Sequence, residues 1–354
     1  MGGETDAFSG TRPVEERHRF DEARLADWMK QSVEGFSGPL TVLQFKGGQS
    51  NPTYRLDTPG RSYVLRRKPF GKLLPSAHAV DREFRVISAL HKQGFPVARP
   101  YGLCEDDSVI GAAFYIMSME EGRIFWDGGL PGMSPDERGA IYRAKIGTLA
   151  KLHSYDPQAI GLGDFGKPGN YFGRQVDRWS KQYRASETDK IEAMDRLMDW
   201  LPATLPTQER TSIVHGDYRI DNMIFDAKEP KVQAVLDWEL STLGDPLADF
   251  TYLLVNWMMP YEGRSHLDGL DLKSLGIPTL DETVALYCAQ TGRASIPDLN
   301  WYFAYNLFRL AAILQGIIGR IRDGTAASAR AAEQASRIGP LSSAAWDFAR
   351  RAGA

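Results

Sequence analysis

The chain has 354 residues, with 45 acidic against 42 basic side chains, a formal charge of −3 and 43% hydrophobic residues. This is the composition of an ordinary globular protein, and with no basic excess to release counterions from phosphates it does not read as a nucleic-acid binder. The two cysteines, Cys104 and Cys288, form neither a zinc spacing nor a disulfide framework, which points to a reducing, cytoplasmic setting.

In chain order, residues 1–20 read as a flexible tail, polar and Gly-rich at its start and without the apolar run of a signal peptide. Leu25, Trp28, Met29 and Val33 mark one face of a helix. Strands are expected over 40–45, 53–57 and 63–67, with glycines and Asn51-Pro52 between the first two. A helix over 79–91 carries Val80, Phe84, Ile87 and Leu90 on one side. An apolar strand over 111–119 then runs into Glu120-Glu121-Gly122, read as a hinge. Residues 21–120 thus form a β-rich lobe suited to a nucleotide, and 121–354 a larger helical lobe for catalysis and substrate. The fold class is α+β.

Beyond the hinge, helices are expected over 136–154, 173–184, 247–258, 281–290, 301–321 and 326–338. Gly339-Pro340 should break the last of these before a short closing helix over 342–352. The stretch 301–318 is the most membrane-like, but Asn306, Arg309 and Gln315 make it a buried helix and not a span. Short strands fall at 212–215, 223–225 and 232–236.

The densest chemistry lies in His215-Gly216-Asp217-Tyr218-Arg219-Ile220-Asp221-Asn222. Phosphoryl transfer needs a carboxylate to orient and deprotonate the attacking hydroxyl. It also needs a nearby Asn to hold a metal and a cation facing the transferred phosphate. Asp217 fits the base, Arg219 the cation and Asn222 the metal ligand. A polar loop with Asx turns is the plainer alternative. Against it stands Asp237, at the end of the next strand. A hairpin from Asn222 to Asp237 would bring both oxygens to one end, a donor set suited to Mg²⁺.

These residues carry a resemblance. The His-Gly-Asp-x-x-x-x-Asn block, Leu236-Asp237-Trp238-Glu239, Gly244-Asp245-Pro246-Leu247-Ala248-Asp249 and Leu149-Ala150-Lys151-Leu152-His153 resemble the aminoglycoside phosphotransferase and choline kinase-like group. The group has the two-lobed protein-kinase-like fold. The chain is most similar to the kinase-like domain fused to some acyl-CoA dehydrogenases, over about residues 21–350. The resemblance implies ATP and Mg²⁺ as cofactors and a small-molecule hydroxyl as acceptor, with neither a nucleic acid nor a membrane as partner. It also implies structural roles for Asp245 and Asp249, holding backbone donors of the loop, and a packing role for His153.

In the N-terminal lobe, Gly47, Gly48, Ser50 and Asn51 lie where backbone amides could cradle phosphates, although an ordinary hairpin turn fits too. Arg66 stands where the family pattern has Lys. It keeps the charge and can grip phosphate bidentately, with Lys68 as a rival of the same strand parity. Glu83 is the expected partner for this cation. Met117 and Met119 should line the adenine slot.

Candidate acceptor-site residues are Trp126, Tyr171, Arg174, Trp179, Trp238, Trp257, Tyr305 and Arg309. This Arg-plus-aromatic set lacks the acidic cluster that polycationic aminoglycosides favour. It leans, with the likeness to the dehydrogenase-fused kinases, towards an anionic or amphipathic acceptor such as a hydroxyacyl thioester. A catalytically silent nucleotide-binding scaffold and an aminoglycoside kinase are the competing readings. A protein kinase is disfavoured, because no Ala-Pro-Glu segment follows Asp237.

Overall fold

The computed structural model describes residues 10–46, 51–70, 78–259, 266–322 and 331–354. The first strand, β1 (Thr11–Arg12), precedes helix α1 (Glu22–Ser32). The Asp21 side chain caps α1 by accepting from the Ala23 and Arg24 amides, which satisfies two otherwise orphaned donors. Then come β2 (Thr41–Phe45), β3 (Thr53–Asp57), β4 (Ser62–Arg67), α2 (Val80–Lys92), β5 (Pro100–Cys104) and β6 (Phe114–Ser118). The six strands form one antiparallel sheet in the order β1-β2-β3-β4-β6-β5. Its core gathers Leu25 and Met29 of α1 with alternate strand residues such as Tyr54, Leu56, Tyr63 and Leu65, the period-2 pattern of a half-buried sheet.

The later elements are α3 (Pro135–Ser154), α4 (Tyr171–Ser186), α5 (Glu192–Ala203), β7 (Ser212–Val214), β8 (Met223–Phe225), β9 (Val232–Val235), β10 (Thr242–Gly244), α6 (Leu247–Leu254), α7 (Leu272–Leu275), α8 (Leu280–Thr291), α9 (Leu299–Arg322) and α10 (Ala331–Arg351). Capping boxes Ser134/Glu137 and Thr279/Glu282 start α3 and α8, each pairing two orphan amides at once. The strands flanking the polar loop do not pair with each other: β7 pairs with β10, and β8 with β9.

The chain divides into two compact units. Unit 1 takes Met1–Ile124, Gln158–Gly163 and Asn222–Ser241, and unit 2 takes Phe125–Pro157, Asp164–Asp221 and Thr242–Ala354. No helix among the described residues is long and apolar enough to cross a membrane. Both cysteines are free and buried.

Several expectations are corrected. Residues 10–20 are not a loose tail: β1 pairs with β2, the Tyr54 hydroxyl donates to the His18 carbonyl, and Phe20 packs edge-on to Tyr54. Gly339-Pro340 does not break the C-terminal helix. Instead α10 runs through it, packed along α9 with Ile338, Leu341, Ala345 and Ala349 buried. Tertiary burial outweighs the cost of an internal proline there.

Gly122 is held by close approach. A Cβ there would lie 2.1 Å from the Phe225 carbonyl oxygen, because Arg123 and Phe225 exchange two backbone hydrogen bonds of 2.8 Å. Strands β5 and β10 were not expected. β5 contains Pro100 and a bulge before Gly102, and β10 is only three residues long.

Candidate active site

In unit 2, β7 delivers the chain into the loop at His215. The His215 and Gly216 amides donate to Asp249 Oδ2 and Oδ1 at 2.5 and 2.8 Å. Asp249 is buried in the first turn of α6. Burial alone would raise its carboxyl; His153, His215 and the Gly216 amide outweigh that and hold it below the usual carboxylate range. His153 is itself fixed, with Nε2 3.5 Å from Asp249 and Nδ1 2.8 Å from the Tyr287 hydroxyl. Asp249 and His153 thus brace the loop. Asp245 does not reach it and instead accepts from the Leu247 amide in its own turn, with burial pushing its carboxyl up to about 6.

Gly216 has φ +90°, a conformation that favours glycine. It turns the chain so that the Asp217 amide donates to His215 Nδ1 at 3.2 Å. The Asp217 carboxylate is oriented through one oxygen: Arg219 Nε lies 3.1 Å from Oδ1, and the Tyr252 hydroxyl donates to it at 3.3 Å. Burial, then the Asp217 charge, push the Tyr252 phenol up to about 12, so it stays a neutral donor. Arg219 Nη2 also lies 3.4 Å from Asp221 Oδ2. Beneath the loop, the Tyr218 hydroxyl donates to the Lys145 carbonyl at 2.7 Å. The Lys145 ammonium is fully buried and lowered to about 8, by burial first, with Asp221 opposing and Arg219 adding to the shift.

In unit 1, Arg66 on β4 meets three carboxylates. Nε is 2.9 Å from Glu83, and Nη2 is 2.8 Å from Asp237 and 3.4 Å from Glu239. Burial works against its charge, but Glu83, Tyr115, Asp237 and Glu239 together hold it above the ordinary arginine value. Glu83 is buried on α2; Asn51 Nδ2 donates to its Oε1 at 2.7 Å and the Tyr115 hydroxyl to its Oε2 at 3.0 Å. Burial pushes the Glu83 carboxyl up, while Arg66 and the Tyr115 bond pull it back. Lys68 stands apart from this cluster, 3.6 Å from Asp81. Between the two rivals, Arg66 meets Glu83.

The β8–β9 register puts Asn222 opposite Leu236, whose amide donates to the Asn222 carbonyl at 2.8 Å. Asn222 and Asp237 therefore lie at one end of the hairpin. Asp237 has φ +64°, uncommon for a non-glycine residue and a form of strain that recurs at functional sites. Among the described residues no group of three or more His, Cys, Asp or Glu side chains is placed to hold a metal. One amide oxygen and one carboxylate still suit Mg²⁺, which fills its shell with phosphate and water.

Gly47, Gly48 and Ser50 lie outside the described residues. Asn51 departs from its expected role: its side chain is buried between Glu83 and His78, so it braces Glu83 and is not presented to phosphate. Met117 pairs with Val64 across β6 and β4, and both Met117 and Met119 are half-buried.

The acceptor candidates separate. Trp238 and Trp257 are buried, with their indole N–H groups donating to the Val235 and Pro278 carbonyls. Tyr171 and Tyr305 are buried around Phe172. Arg174 donates to the Gly169 and Lys167 carbonyls, and Trp126 is half-buried. Arg309 is the candidate tied to the loop, donating from Nη2 to the Gly216 carbonyl at 2.8 Å. Tyr252 and Arg178 were not expected; they lie on helix faces with no motif to mark them. A cavity of about 310 Å³ in unit 2 is lined by Asp245, Arg293, Trp301 and Tyr302 among others. It includes none of the loop residues.

This fold and loop define a kinase-like phosphotransferase. Residues 41–282 match the model of the phosphotransferase enzyme family, and the chain belongs to that family. It is 47% identical over 347 residues to mouse acyl-CoA dehydrogenase family member 10, covering 97% of this chain and 32% of that protein. With human acyl-CoA dehydrogenase family member 11 it shares 41% identity, covering 95% of this chain and 44% of that one. The chain thus spans less than half the length of these relatives.

A Ralstonia eutropha structure assigned as an aminoglycoside phosphotransferase is 53% identical, with TM-score 0.87, 94% of this chain and 99% of that one covered. A spectinomycin phosphotransferase solved with ADP and spectinomycin shares the fold at 13% identity, with TM-score 0.59 and the same 94% and 99% coverage.

Proposed function

We propose that the chain transfers the γ-phosphate of ATP to a hydroxyl of a small molecule, with Asp217 as the base and Mg²⁺ as the metal. The observation that carries this is the Asp217 carboxylate itself, aimed by Arg219 and Tyr252 on a loop whose amides Asp249 pins. Such positioning is most of what a protein contributes to phosphoryl transfer. Asp217 would orient the acceptor hydroxyl and take its proton as the oxygen bonds to the γ-phosphorus and ADP leaves. Arg219 would face the transferred charge. Asn222 and Asp237 would hold the metal, which would supply positive charge to offset that of the phosphates. Arg66, braced by Glu83, would reach the phosphates, and Met117 and Met119 would line the adenine slot.

Support for the nucleotide comes from related folds solved with ADP or AMP-PNP. A silent nucleotide-binding scaffold has one observation in its favour: Arg66 Nη2 holds Asp237 Oδ1 at 2.8 Å, an oxygen a metal would also seek. The deciding experiment incubates the protein with ATP, Mg²⁺ and a hydroxyl-metabolite library and reads phosphate adducts by mass spectrometry. Transfer by the wild type, lost in Asp217→Asn while ATP still raises the melting temperature, is the expected result. ATP binding without any adduct would favour the scaffold.

A further inference from the structure

We propose that Arg309 and Arg178, both gathered at the Trp179 ring, form the anion-recognition element of the acceptor site, so that the acceptor carries an oxyanion as well as its hydroxyl. The inference rests on the phosphotransferase reading above and names the chemical class of its acceptor.

Arg309 is half-buried on α9 and has no carboxylate partner among the described residues. Its hydrogen bond runs from Nη2 to the Gly216 carbonyl at 2.8 Å, and its guanidinium carbon lies 4.9 Å from the Tyr252 ring centre and 5.8 Å from that of Trp179. The charged or ionisable groups that reach it most strongly are the phenols of Tyr305, Tyr252 and Tyr171, with Asp217 the weakest. These phenols stay neutral at physiological pH, so they cannot balance a guanidinium. Leaving a half-buried charge without a counter-ion has a cost, and proteins accept it mainly where a ligand completes the pair. Arg309 holds the carbonyl of Gly216, the residue before the candidate base, and Tyr252 lies against both its guanidinium and Asp217 Oδ1.

A second cation converges on the same ring. Exposed Arg178 has its guanidinium carbon 5.1 Å from the Trp179 ring centre and likewise has no carboxylate partner among the described residues. Two guanidiniums gathered at one aromatic ring can bind a planar or tetrahedral oxyanion by charge-assisted hydrogen bonds. The same pair would repel a polycationic aminoglycoside. The shared chemistry of the acceptor is therefore a hydroxyl with either a carboxylate or a phosphate group within a short reach.

The test measures kcat/KM of the whole chain with ATP and Mg²⁺ on four probes: 3-hydroxybutyrate, glycerol 3-phosphate, neutral 3-hydroxybutyramide and kanamycin. The wild type should favour one anionic probe over the amide, and which one tells carboxylate from phosphate. Arg309→Met should cut that anionic-over-neutral ratio by roughly 10- to 100-fold, the range of a charge-assisted hydrogen bond, with Arg309→Lys restoring part of it. Arg178→Met, an exposed change that leaves the core intact, should move the ratio in the same direction by a few-fold.

A merely structural role through the Gly216 carbonyl would depress all probes alike and leave the ratio unmoved, which overturns the proposal while transfer stands. Preference for kanamycin or the amide overturns it too. Transfer to none of the probes overturns it together with the reading on which it rests.

Discussion

Replacing Asp249 with Asn keeps the shape of the side chain and removes its charge and one acceptor. In the native protein its two oxygens each receive a loop amide, from His215 at 2.5 Å and from Gly216 at 2.8 Å. An Asn oxygen can accept one of these; its NH₂ would face the other amide donor to donor. One buried N–H is then unsatisfied, at about 1–3 kcal/mol, and the surviving bond loses its charge assistance, so the total is roughly 3–5 kcal/mol. That is a large share of the ~5–15 kcal/mol by which a typical domain is stable.

Urea unfolding of wild type and Asp249→Asn at neutral pH measures it. The pH dependence adds a check of sign. Because the folded carboxyl is depressed below its unfolded value of 3.8, its contribution is complete above that value and is lost as pH falls through the folded one. The two proteins should therefore converge in stability under acid. An Asn variant within about 1 kcal/mol of wild type at neutral pH, or a gap that persists unchanged in acid, would refute the bracing role.

Lys145, fully buried, titrates near 8 against 10.5 unfolded. The unfolded chain binds the extra proton between these values, so stability should rise with pH across that window, by roughly 3 kcal/mol at most. Lys145→Met should abolish the rise in a denaturation series from pH 7 to 10; an unchanged slope counts against the buried ammonium. Arg66→Met strands Glu83 and should destabilise by about 3–5 kcal/mol in chemical denaturation, as expected for a buried pair with one member removed. A loss under 1 kcal/mol would show the cluster to be solvated. Gly122→Ala forces a Cβ to 2.1 Å from the Phe225 oxygen and should cost at least ~2 kcal/mol and parts of the Arg123–Phe225 bridge; a melting temperature equal to wild type would mean the two segments separate at no cost.

The loop stood out as a candidate site because phosphoryl transfer would constrain residue type and spacing together, and Asp217, Asn222 and Asp237 fit both. The sheet was legible from its alternation, and Glu83 from its place on the helix after β4. What the sequence hid was of two physical kinds. Tertiary packing overrode local rules, as where α10 continues through Gly339-Pro340 and where residues 11–12 join β2. Side-chain direction was also underdetermined: Asn51 turns inward to Glu83, and Arg67 buries against Tyr54 and Phe70. Neither choice leaves a mark on composition. Helix α5 was not expected, although Met194, Leu197 and Leu201 keep helical spacing on its buried face. Tyr252 and Arg178 had no such signal, because a single polar residue on a helix face looks the same whether it meets solvent or a base.

Unit 1 is assembled from three stretches of chain, the last of them Asn222–Ser241. The Val235 amide bonds to the Pro96 carbonyl, Phe95 packs edge-on to Trp238, and Arg66 finds Asp237 and Glu239. During synthesis, residues 1–124 therefore emerge without the hairpin that completes them. The 97 intervening residues, 125–221, take roughly 5–19 s at ordinary elongation rates. Over that interval Arg66 and Glu83 have only each other and the sheet, while the first half of unit 2 is already leaving the ribosome. Neither unit is a contiguous block of sequence, so no single cut of the chain yields either one whole.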